Sequence, residues 1–111
     1  MLAAGDIVLA GFPYAEKQHT KYRPALVVSD KSFHETHGIC WIAMITSAEN
    51  EPWASDVRVP VSAKTGLNKA SVIRPAKLAT LDAATVEKIG VVPRAVLYRV
   101  TDEIFAHLAK R

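Results

Sequence analysis

A single cysteine, Cys40, is all that the 111 residues contain. A lone thiol excludes an internal disulfide and falls short of any cysteine-based metal shell. Set in the apolar run CWIAMIT, it reads as a small buried hydrophobe in a protein of a reducing cytoplasm. No uncharged apolar stretch approaches the length needed to cross a bilayer, and no charged segment followed by an apolar one opens the chain. Neither a membrane-spanning nor a signal-led secreted protein is therefore expected. Also missing are a glycine-rich phosphate loop, a zinc motif, a nucleophile elbow, an internal repeat and a low-complexity tract. Charge of one sign does not dominate either: 14 Lys and Arg stand against 11 Asp and Glu, for a net +3. That balance admits a polyanionic partner without identifying one.

What is present is a half-apolar chain of a length that suits one domain, residues 1–111, with its own core. Its centre is the stretch KYRPALVVSD, residues 21–30. Pro24 fixes its own φ and pushes Arg23 toward extended backbone, so the guanidinium stands at the mouth of a strand. Ala25, Leu26, Val27 and Val28 form an apolar run closed by Ser29 and Asp30, which reads as a central strand buried on both faces. A fork-shaped, permanently charged donor at the end of a rigid element suits a phosphate or carboxylate. A surface arginine paired with a neighbouring acid fits the same local pattern.

In order along the chain, Gly5 and Asp6 lead into a short strand over Ile7, Val8, Leu9 and Ala10, ended by Gly11 to Tyr14. Residues 15–22 are polar and aperiodic, a surface loop made locally basic by Lys17, His19 and Lys21. Asp30 and Gly38 read as the caps of a helical turn. His34 and His37 share a helical face at a spacing some metal sites use, but no further ligand lies nearby, and a pair of exposed connector histidines is expected. The run ICWIAMIT forms another apolar strand that stops at Thr46 and Ser47, hydroxyls able either to close a turn or to donate to phosphate oxygens. Trp53 reads as a stacking surface or a lid on the core. DVRVP alternates as a half-buried strand, and Ser71 to Arg74 begins another that Pro75 interrupts, implying a bulge or an edge. Lys77 to Asp82 resumes as a short strand, and Gly90 separates a helical turn over 83–88 from the last segment. There Val96, Leu97, Val100, Ile104, Phe105 and Leu108 make the stripe of a sheet-packing helix. The expected fold is mostly β, a small barrel-like sheet capped by a C-terminal helix.

Gly5-Asp6-Ile7-Val8-Leu9 with Phe12-Pro13, Arg23-Pro24-Ala25-Leu26-Val27-Val28-Ser29, Ile45-Thr46-Ser47, and Gly66-Leu67 followed by Ser71-Val72-Ile73 together resemble the MazF/PemK toxins of bacterial toxin–antitoxin modules. The match runs in order from Gly5 to about Asp82. The resemblance implies an SH3-like barrel, a homodimer, and metal-independent cleavage of single-stranded RNA without a cofactor. It also implies silencing by a cognate antitoxin whose acidic tail fills the RNA groove. By this match Arg23 and Thr46 correspond to the catalytic pair, Ser47 and Arg74 to substrate contacts, and the loop 15–22 to a mobile cover. Lys17, His19, Lys21 and Lys77 add to the substrate-binding set. Where some relatives carry an acid two positions after the arginine matched by Arg74, this chain has Ala76. Either proton removal passes to another group, with His19 the nearby candidate, or the protein is a slower or differently tuned nuclease. Two other readings use the same fold: a non-catalytic toxin that seizes a protein such as a topoisomerase, and an SH3-like interaction module. The cluster Arg23, Thr46 and Ser47 at strand ends favours the nuclease, because a pure binder has no need of it.

Overall fold

The computed structural model describes residues 1–13 and 20–110. Among them are strands β1 (Asp6–Pro13), β2 (Thr20–Val27), β3 (Ile39–Ser47), β4 (Val57–Val59), β5 (Ser71–Asp82) and β6 (Glu87–Val91). They form one antiparallel sheet in the order β4-β5-β3-β2-β1-β6. Helix α1 (Lys31–His37) joins β2 to β3, and helix α2 (Arg94–His107) follows β6. Of the loop expected over 15–22, the first part lies outside the described residues, whereas Thr20, Lys21 and Tyr22 belong to β2.

Strand periodicity accounts for the core. Successive side chains point to opposite faces, so Ile7, Leu26, Ala43 and Ile45 join one cluster with Ile73 of β5 and with Val96 and Val100 of the capping helix. Their neighbours Val8, Ala25, Val27 and Ile42 join another on the opposite face with Cys40. The run after Pro24 is thus buried on both faces. Burial of Cys40, and secondarily the Asp82 carboxylate, push its thiol pKa up.

Asp30 caps α1 by accepting from the Phe33 amide at 2.9 Å, and Gly38 ends it with φ +70°. The amide of Phe33, with the Ser32 hydroxyl, holds the Asp30 carboxyl below its ordinary pKa. Pro75 lies where the β3–β5 register jumps, Ala43 facing Leu78 and Met44 facing Arg74, so the expected interruption is a bulge within one long strand. The expected stripe of α2 divides: Val96 and Val100 are buried, whereas Phe105 and Leu108 are exposed.

The segment 83–88 departs from expectation. Only Ala83–Thr85 is a 3-10 turn, and Glu87 onward is strand β6, paired to β1. Short strands with charged residues carry little apolar alternation, and Gly90 reads as a break from sequence alone. Its position in the sheet explains it. The 3-10 turn Ala63–Thr65, which follows the strand at one edge of the sheet, packs on β6 at the opposite edge, which requires the sheet to curl into a half-barrel. At this seam a Cβ on Gly90 would lie 2.2 Å from the Thr65 carbonyl carbon, and one on Gly66 would lie 2.2 Å from the Ile89 oxygen. Both obstacles are backbone, which cannot swing aside as a side chain can.

Gly90→Ala is therefore expected to destabilise the fold by about 3 kcal/mol through overpacking. A lowered urea midpoint would register it. An unchanged midpoint would mean that the seam opens at little cost and does not hold the curl.

Candidate active site

The groove arises where two strands part. β2 and β3 pair at Val27 with Ile42, Leu26 with Ala43 and Ala25 with Met44, and the ladder stops there. Continued by two residues, the same register would set Pro24 opposite Ile45 and Arg23 opposite Thr46. The pairing ends before those residues, and Arg23 and Thr46 both line one cleft beyond it. The resulting cleft has a volume of about 550 Å³.

Its walls come from separate parts of the fold. β2 supplies Tyr22, Arg23 and Pro24; β3 supplies Ile45, Thr46 and Ser47; the following turn supplies Glu49 and Asn50. Gly66, Leu67, Asn68, Lys69 and Ser71 close the far side, with Leu9 and Ile89 completing the lining. The glycine seam thus builds one wall of the site.

Hydrogen bonds order the hydroxyl end. Asn50 Nδ2 donates to Thr46 Oγ1 at 2.5 Å. The Glu49 amide donates to Ser47 Oγ at 3.2 Å, and the Asn50 amide donates to the Ser47 carbonyl at 3.1 Å. Each hydroxyl accepts from a protein donor and keeps its own O–H for something else. Arg23, Lys69 and Glu49 are the charged groups of the lining among the described residues.

The structure thus gathers Arg23, Thr46 and Ser47. It does not bring Arg74 to them. Arg74 is buried, its Nε is 3.3 Å from Asp56 Oδ1, its Nη2 donates to the Glu51 carbonyl, and its guanidinium carbon lies 4.6 Å from the Trp53 ring centre. Those partners hold the loop between β3 and β4 against β5. Trp53, the aromatic partner of this stack, lies outside the groove, as does Lys77, whose Nζ is 5.8 Å from the same ring. Lys17 and His19 lie outside the described residues, and Lys21 enters only through its strand backbone.

Sequence reasoning missed Glu49 and Asn50, although a turn with hydroxyls at its entry was legible. It also took His34 as exposed. His34 is buried: Ser29 Oγ lies 2.6 Å from Nε2, and Nδ1 lies 3.1 Å from the Leu2 carbonyl, so the ring ties the N-terminal residues to α1. Asp6 is likewise structural: buried, it accepts from the Ala3 amide at 2.9 Å and pairs with Lys88 of β6 at 3.2 Å. Among the described residues no group of three or more His, Cys, Asp or Glu side chains is placed to hold a metal ion, and no helix is long and apolar enough to cross a membrane.

A curled antiparallel sheet with a capping helix and a polar groove where β2 and β3 stop pairing defines a small half-barrel. The family model of PemK-like, MazF-like toxins of type II toxin–antitoxin systems matches residues 3–108, and the chain belongs to that family. Among solved structures it is similar to MazF from Deinococcus radiodurans, with a TM-score of 0.77 and 23% identity over 95% of this chain and 94% of that one. Toxin MazF-mt6 of Mycobacterium tuberculosis gives a TM-score of 0.71 and 22% identity over 91% and 93% of the two chains. An endoribonuclease in complex with its cognate antitoxin from a mycobacterial species gives 0.76 and 13% over 99% and 100%. These likenesses establish a shared fold. A search of curated proteins finds no match.

Proposed function

We propose that this protein is a metal-independent endoribonuclease that cuts single-stranded RNA through its own 2′-hydroxyl and leaves a 2′,3′-cyclic phosphate. The observation that carries the reading is the convergence of Arg23, Thr46 and Ser47 on one groove at the parting of β2 and β3. Arg23 meets the charge of the phosphorane; a guanidinium is far too weak an acid to serve as a base at neutral pH. Thr46 donates to a phosphate oxygen, and Ser47 to the backbone beside it. Glu49, the carboxylate among the described lining residues, takes the 2′ proton in place of the acid that Ala76 replaces; as the 2′-O–P bond forms the P–O5′ bond breaks, and the 5′-oxygen leaves as a hydroxyl with a proton from water. The loop bearing Lys17 and His19, with Lys21, is assigned to holding the RNA strand.

In the cell, on this reading, a cytoplasmic homodimer is silenced by a cognate antitoxin whose acidic tail competes for the groove. A second copy of the chain suits the exposed apolar side chains Trp41, Leu78, Phe105 and Leu108. Sedimentation at a mass near 12.1 kDa would rule out that dimer.

Purified protein incubated with a mixed single-stranded RNA tests the activity directly. Cleavage with cyclic phosphate ends is expected, and Glu49→Gln should lower kcat by about 100-fold, the usual worth of a positioned base. Intact RNA in every condition would end the nuclease reading. Cleavage by the Gln variant at the normal rate would transfer proton removal to another group, with His19 the next to test.

A further inference from the structure

A threonine hydroxyl carries one donor and two acceptor positions, and its proton rotates to suit its neighbours. Thr46 is not left to do so freely. The Asn50 amide places Nδ2 at 2.5 Å from Oγ1 and fills an acceptor position. A hydroxyl that accepts from a neighbour's N–H cannot also give its proton to that nitrogen, so the O–H is turned away from Asn50.

The turn that carries Asn50 does not depend on this amide. Its backbone is held by the Asn50 amide on the Ser47 carbonyl at 3.1 Å and by the Glu49 amide on Ser47 Oγ at 3.2 Å. The Ala48 amide also bonds the Ala70 carbonyl at 3.0 Å, anchoring the turn to the chain entering β5. Asn50 also lines the cleft together with Arg23. The side-chain contact to Thr46 therefore needs a reason other than turn formation.

We propose that Asn50 is a positioning residue that fixes Thr46 as a hydrogen-bond donor to the scissile phosphate. The inference rests on the endoribonuclease reading above and deepens it. A donor aimed before the reaction begins costs nothing to reorganise as charge grows on the phosphorane, so its worth appears mainly in the transition state. The effect of losing Asn50 belongs in kcat and passes through Thr46.

The test is a double-mutant cycle on one RNA that the wild-type protein cuts. Asn50→Ala is expected to lower kcat about tenfold with KM unchanged, and Asn50→Asp about 100-fold, because a carboxylate only accepts and draws the Thr46 proton toward itself. Any repulsion between that new carboxylate and RNA divides out when the same change is made on Thr46→Ala. On that background Asn50→Ala should leave the residual rate unaltered, and Asn50→Asp should lower it only by whatever that repulsion costs. An Asn50→Ala variant with unchanged kcat, a loss expressed in KM alone, or losses that multiply with Thr46→Ala would each overturn the assignment. The wild-type lane reads the nuclease activity by itself, so failure there removes the underlying reading and is distinct from failure of the variants. Equal thermal midpoints for all variants would confirm that the fold is not the cause.

Discussion

An RNA carrying one 2′-deoxy nucleotide immediately 5′ to the cut is expected to survive intact, while the all-ribose strand is cut to completion under the same conditions. The groove supplies charge stabilisation through Arg23 and hydroxyl donors from Thr46 and Ser47, none of which turns water into a strong nucleophile. The 2′-oxygen, already bonded to the neighbouring carbon of the same ribose, is held beside the phosphorus at an effective concentration of about 10⁵ M or more. Removing it should cost at least about 10⁴-fold, beyond what any single side chain of the groove could contribute. Cleavage should also persist in excess chelator, because the role a metal would fill is given to the guanidinium. A deoxy strand cut at the normal rate would mean that water attacks. Loss of activity on chelation would mean that a bound ion does the work assigned to Arg23.

Much of this fold is legible in the chain because its signals are local. Pro24 sets the backbone around Arg23, Asp30 and Gly38 carry the cap chemistry of α1, and the apolar runs of β2 and β3 state their burial without tertiary help. Pro75 announces the bulge for the same reason. β6 is hidden, since its pairing with β1 and its contact with the Ala63–Thr65 turn are long-range. What sequence reads as a glycine break is a glycine needed for backbone contact across the seam. The functional end divides in the same way. Arg23, Thr46 and Ser47 stand out as polar groups at the ends of apolar strands, a pattern that survives without coordinates. Arg74 shows the same pattern after Ser71-Val72-Ile73, yet it pairs with Asp56, a partner 18 positions away whose approach no local rule gives. Asn50 and Glu49 sit in an ordinary polar turn. Their importance comes from where β3 delivers them, in the lining of the cleft that also holds Arg23, with Asn50 bonded to the Thr46 hydroxyl.

Replacing Arg23 by Lys should remove most activity even though the charge is kept. Arg23 stands two residues beyond the last β2–β3 pair, at the point where the ladder opens, so its backbone is directed by Pro24 and by pairing with Ala10 of β1. A guanidinium so placed can present parallel N–H donors to two phosphate oxygens, whereas an ammonium offers a point charge on a flexible stem. Loss of one such aimed donor typically costs about 10²- to 10³-fold in kcat. Arg23→Lys should fall in that range, with binding of an uncleavable deoxy strand weakened much less, since the charge that attracts phosphate remains. Arg23→Ala should lose both. The circular dichroism and thermal midpoint of Arg23→Lys should match the parent, because the residue is only half-buried and the core of β2 begins at Ala25. A lysine variant that cuts at near the parental rate would show that charge alone suffices. The Thr46 hydroxyl, which Asn50 aims, would then be the main source of directional stabilisation in the groove.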